Sequence, residues 1–130
     1  MPKDLEVIEL KRSKGSPSVE IIFGQAHLGN YRVFLWDAEG KNPEQLSHGN
    51  NLDDVPDAFT VAFQPKDLDK RILSYELIIQ AAEARPGQVY SATIIVRQDG
   101  MPCKGGVIPV TGPMEDVKSI IGFRRFMIPR

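Results

Sequence analysis

The sequence is poor in the side chains that build reactive centres: one cysteine, Cys103, and two histidines, His27 and His48, in 130 residues. A lone cysteine excludes an intramolecular disulfide, so the fold must stand on its core. Zinc needs three or four convergent ligands, and neither HxxxH, HxH nor CxxC spacing occurs. There is no Gly-x-Ser-x-Gly elbow, no Walker-type loop and no dinucleotide fingerprint. The glycines of Gly100–Gly106 are not followed by a helical pattern, which a phosphate-binding loop requires.

An excess of charge is missing as well. Sixteen Lys and Arg face seventeen Asp and Glu, a formal charge of −1. That balance gives no electrostatic reason to expect nucleic acid or an anionic membrane as partner. No apolar run approaches the roughly 20 residues needed to cross a bilayer. The first residues, Met1-Pro2-Lys3-Asp4-Leu5, turn charged at once, without a signal-type apolar stretch. These absences lead to the expectation of a soluble, cytoplasmic protein with no cofactor. Its expected partner is another protein, with a small ligand as the alternative and the oligomeric state open.

What the chain does have is an ordinary globular composition, 42% hydrophobic and 25% charged. Its length suits a single domain spanning 1–130. Period-two patterning recurs throughout: Val19, Ile21 and Phe23; Tyr31, Val33 and Leu35; Phe59, Val61 and Phe63; and the β-branched run Val89 to Val96. Such alternation puts one face of a sheet on a core and the other toward water. Turn chemistry punctuates these runs at Lys14-Gly15-Ser16-Pro17, Gly29-Asn30, Glu39-Gly40, Pro86-Gly87, Asp99-Gly100, Gly105-Gly106 and Thr111-Gly112-Pro113. The spacing predicts an all-β fold, an antiparallel two-sheet β-sandwich.

One segment reads two ways. Leu68, Ile72, Tyr75, Ile79 and Ala82 fit a helical face, while Leu73, Tyr75, Leu77 and Ile79 fit a strand. Leu68-Asp69-Lys70-Arg71 resembles a turn, which favours the strand. A helix over 68–85 would make the class α+β.

The longest break runs from Glu39 to Ala58, and loops beyond about 12–15 residues in a compact domain are usually functional or disordered. Its residues Asn50, Asn51, Asp53, Asp54 and Asp57 form the leading candidate ligand- or partner-binding loop. Asp53, Asp54 and Asp57 are hard oxygen ligands of the kind Ca²⁺ takes, although their spacing is not that of an EF-hand. The plainer role for such residues is side-chain-to-backbone turn formation. A second candidate is a partner-contact strand at Phe123, Arg124, Arg125 and Phe126. As an edge it would dock a partner with an arginine as anchor; as a central strand it would close the sheet. Tyr31, Trp36 and Tyr90 are candidates for a sugar-stacking platform. A small enzyme built on Cys103, a histidine and a loop carboxylate completes the alternatives. It would need a base and an oxyanion hole that no motif supplies.

Pro86-Gly87-Gln88-Val89-Tyr90 leads into a long strand and Gln98-Asp99-Gly100 leaves it. In this general pattern the chain resembles an immunoglobulin-like or related sandwich. It departs from true immunoglobulin domains in having no Cys…Trp…Cys core. Because one fold hosts many functions, the resemblance implies architecture only. The expectation is therefore a non-catalytic binding or protein-interaction module, with a carbohydrate- or calcium-binding module as the alternative.

Overall fold

A computed structural model of the chain describes residues 4–24, 27–51, 57–81, 87–113 and 117–129. Among them the alternating segments form β1 (Val7–Glu9), β2 (Ser18–Phe23), β3 (His27–Trp36), β4 (Glu44–Asn50) and β5 (Ala58–Thr60). After one helical turn, α1 (Pro65–Leu68), come β6 (Ile72–Ala81), β7 (Val89–Gln98), β8 (Met101–Pro113) and β9 (Val117–Met127). One sheet has the order β1-β9-β6-β3-β4 and the other β5-β2-β7-β8. Pairing is antiparallel except between β1 and β9. The inward residues of the two sheets, among them Val33, Leu35, Leu73 and Leu77 against Val19, Ile21, Ile94 and Val96, make one buried cluster. This is the predicted all-β sandwich.

The ambiguous segment is strand β6, with helix confined to Pro65–Leu68. Proline at the first helical position fixes φ for that turn. Lys70, at φ 71°, then reverses the chain, and its N–H donates to the Phe126 carbonyl at 2.8 Å. From Ile72 onward both neighbours, β3 and β9, offer complete ladders. Leu73, Tyr75, Leu77 and Ile79 face the core as the strand reading required. Ile72 and Ser74 are buried on the opposite side, which is why apolar residues also fitted a helical period.

Two expectations need correction. The Glu39–Ala58 break is not one loop, because it contains β4. Its alternation is hidden by a bulge: Val33 pairs with Ser47 but Phe34 with Gln45, leaving Leu46 as the extra residue that packs against the core. Several glycine pairs predicted as turns also lie inside strands: Gly29-Asn30 in β3, and Gly105-Gly106 and Gly112-Pro113 in β8. The reason is steric. Each of the chain's three tyrosines stands opposite a strand glycine across a ladder: Tyr31 with Gly49, Tyr75 with Gly122, Tyr90 with Gly112. The tyrosine ring occupies the space a Cβ would take on its partner. Gly105, at φ 76°, brings the β8 bulge against the Val7 carbonyl of β1, where a Cβ would collide. This contact closes one side of the sandwich.

Candidate functional site

The structure scatters the residues singled out from the sequence. Asp53 and Asp54 lie outside the described residues. Asn51 extends the β3–β4 ladder: its side-chain oxygen accepts from Gly29 N at 2.9 Å, and its own N–H donates to Gly29 O at 3.1 Å. The Asp57 carbonyl accepts from Ile21 N at 2.9 Å. The Asn51 side-chain bond fits the backbone-capping role of Asn. Among the described residues no three His, Cys, Asp or Glu side chains are placed to hold a metal ion.

Strand β9 pairs with β6 along one side, while on the other β1 covers only Arg125–Met127, so among the described residues the stretch through Arg124 has no strand partner there. Phe126 points inward and is fully buried. Arg125 donates to the carbonyls of Lys70 at 2.6 Å and Ala38 at 3.1 Å, fastening two turns. Arg124 donates to the Phe123 carbonyl at 2.9 Å and lies 3.6 Å from the exposed Glu6 carboxylate. Both arginines therefore serve the fold. Phe123 and Arg125 lie on the outer face, both half-buried.

Tyr31 and Tyr90 are buried in the core, whereas Trp36 faces outward, so these three make no platform. Cys103 and His48 occupy opposite flanks. His48 is on edge strand β4, and Cys103 is on β8, beside β1. Four strand spacings intervene, on the order of 19 Å. Burial pushes the Cys103 thiol above its ordinary range, against smaller downward pulls from Lys14 and Lys11. A nucleophilic thiol needs the reverse shift.

What the register does bring together is a set of side chains on the outer face of the five-stranded sheet. Arg32 and His48 are directly opposite, as are Arg32 and Glu76, and Glu76 and Ile121. One row along, Phe34, Ser74 and Phe123 align, with Gln45 beyond Phe34. The Trp36 and Phe123 rings meet at 6.5 Å and 59°, within the favourable tilted geometry for aromatic pairs. Trp36 Nε1 donates to the buried Ser74 hydroxyl at 2.8 Å, and Arg71 Nε donates to the Trp36 carbonyl at 3.2 Å. The indole is thus held in place, half-buried, with its neighbours Phe34 and Phe123 also half-buried.

Further along the same face lies an open hollow of about 630 Å³ whose walls include Asn30, Arg32, His48, Asn50, Glu76 and Ser119. Ile78 (43% exposed) and Ile121 (57% exposed) stand on the same face. The sequence carries no linear sign of this arrangement, because Arg32, Phe34 and Trp36 are separated from Glu76 and Phe123 by tens of residues. Only the cross-strand register shows that Glu76 and Phe123 join them.

No helix among the described residues is long and apolar enough to cross a membrane. Comparison with protein-family models, curated proteins and solved structures finds no match to this chain.

Proposed function

We propose that the chain is a non-catalytic protein-interaction module that meets its partner with the outer face of the five-stranded sheet. The observation that supports this reading is the fixed aromatic group Phe34–Trp36–Phe123, flanked by exposed Ile78 and Ile121 and bordered by Arg32, His48 and Glu76. Interface hot spots combine a desolvated Trp or other aromatic anchor with arginine and a polar rim. An indole held by Ser74 loses little side-chain entropy on binding. The immunoglobulin-like resemblance enters here only as a two-sheet sandwich whose first strand runs parallel to its last.

The test is charge insertion at Ile121 and Ile78, neither of which belongs to the core cluster. Ile121→Glu with Ile78→Glu is expected to weaken capture of the native partner at least tenfold, about 1.4 kcal/mol, with unchanged thermal unfolding. Val107→Glu, on the other sheet, is the control. Equal capture by all three proteins contradicts the reading.

A carbohydrate ligand is the second reading, favoured by the hydrogen-bonding lining of the hollow on the same sheet face as the Trp36–Phe123 pair. A glycan panel read by thermal shift separates it from the first, since a ligand bound only by the native state raises the unfolding temperature. Calcium, the remaining alternative for the Asp53–Asp57 segment, is tested in the same format.

A further inference from the structure

The opposite charges of the chain are nearly equal in number, sixteen and seventeen, but they are not evenly spread. At the end of the sandwich where β1 leaves for β2 and β7 turns into β8, two hollows adjoin and share Lys14. The larger, about 450 Å³, has Lys11, Lys14 and Lys104 in its wall and one carboxylate, Glu9. The smaller, about 300 Å³, has Arg12, Lys14 and Lys66 and no carboxylate. Five cations therefore converge where one acid faces them, and among the described residues none of the five is in an ion pair. Carboxylates near this end that line neither hollow keep their charge: Asp99 accepts from Gly15 N at 3.2 Å, Asp69 accepts from Ile128 N at 2.8 Å, and Asp67 lies in the first turn of α1.

The cationic loop is also held in place. Gln98 is buried at 3% exposure. Its side-chain oxygen accepts from Lys11 N at 2.8 Å, and its amide donates to the carbonyls of Lys11 at 3.1 Å and Gly15 at 3.0 Å. The walls of the two hollows themselves carry five cations against one carboxylate, which attracts an anionic ligand seated there.

From this charge complementarity we infer that this end of the sandwich binds an acidic segment of a polypeptide. Two features select a peptide over nucleic acid. Neither hollow has an aromatic wall residue on which a base could stack. The larger hollow has an apolar side made by Met101 (63% exposed), Pro102 and Pro129. A peptide with Glu or Asp on both sides of a large apolar residue would place its carboxylates on the lysines and that residue against Met101. This surface is separate from the outer sheet face, and the inference does not rest on the interaction proposed there.

The test is fluorescence anisotropy of the full chain with a labelled twelve-residue peptide, Glu-rich around a central Leu-Phe pair. Its Gln-for-Glu counterpart and a twelve-nucleotide single strand serve as comparisons. The acidic peptide is expected to bind, to weaken at least tenfold with Lys11→Glu plus Lys14→Glu, and to weaken between 50 and 300 mM salt. Should that variant unfold, Lys66→Glu plus Lys104→Glu, at two exposed positions, is expected to give at least a threefold loss. Absence of binding, equal binding of the Gln peptide, unaltered affinity in a folded variant, or an oligonucleotide as tight as the peptide each overturns the inference.

Discussion

Gly122→Ala adds one methyl group and is expected to destabilise the domain, because the space belongs to Tyr75. A Cβ on Gly122 would lie 2.7 Å from Tyr75 Cε2, with the ring Cζ and hydroxyl nearer still. Tyr75 is buried, and Gly122 is its direct partner in the β6–β9 ladder. The ring cannot swing into solvent without leaving the core. Overpacking of this kind costs about 1–3 kcal/mol, while removing a glycine's freedom in the unfolded chain returns about 0.4–1 kcal/mol. A net loss of about 1–2 kcal/mol follows, and at roughly 4 °C per kcal/mol for a chain of this size the Tm falls by about 4–8 °C. Urea unfolding of the four proteins of a double-mutant cycle with Tyr75→Leu isolates the contact. In the Leu background the methyl has room, so the coupling should be about 1–3 kcal/mol. Gly87→Ala is the control for backbone strain without a clash, since Gly87 has φ 77° and a Cβ added there would meet nothing within 4 Å; its cost should not depend on Tyr75. An unchanged Tm for Gly122→Ala, or the same cost in both backgrounds, would refute the ring-over-glycine account.

Other perturbations follow from the same contacts. Gln98→Leu strips one acceptor and two donor bonds from the Lys11–Gly15 loop; it should cost about 1–3 kcal/mol and speed amide exchange at Lys11, and unchanged exchange there would discount the staple. Asp37 accepts from the backbone N–H of Lys41 at 2.8 Å and Glu39 at 3.1 Å. Chiefly through the Lys41 bond, its pKa lies below the ordinary carboxylate value. The lowered folded value means that the β3–β4 turn is supported above the unfolded pKa, about 3.9, and loses that support as pH falls through the folded one. The Lys41 amide shift should accordingly titrate with a midpoint under about 3.9, and a higher midpoint would be inconsistent with the bond. Cys103, its thiol pushed up by burial, should react with iodoacetamide at neutral pH more slowly than in the urea-unfolded chain. Faster reaction in the native protein would reopen the nucleophile reading.

The sandwich was legible because most of its strands alternate cleanly, as Val19–Phe23 and Tyr31–Leu35 do. Strand β4 was not, because the bulge at Leu46 breaks the period within seven residues that are otherwise polar or glycine. The glycines misled for a related reason. Turn propensity is local, whereas Gly29 is required by Phe23 and Gly112 by Tyr90, each on another strand. In β9 the acceptors of the Arg125 guanidinium could not be read, since Ala38 and Lys70 lie far away in sequence, whereas Arg124 bonds the adjacent Phe123 carbonyl. The outer-face group had no linear signature. Arg32, Glu76 and Phe123 become neighbours only when β3, β6 and β9 are in register. The basic end was similarly invisible to net charge, which averages over both ends.

The interaction face is tested most directly by site-specific photo-cross-linking in intact cells, with a photoreactive residue at Ile121 in one protein and at Val107 in another. These positions are similarly exposed, 57% and 53%, and lie on strands of different sheets. A discrete heterologous adduct from position 121, absent at 107 and lost when Ile78→Glu is added, is the predicted result. Adducts from 107 alone, or the same adducts from both positions, would contradict the assignment of the five-stranded face as the contact surface.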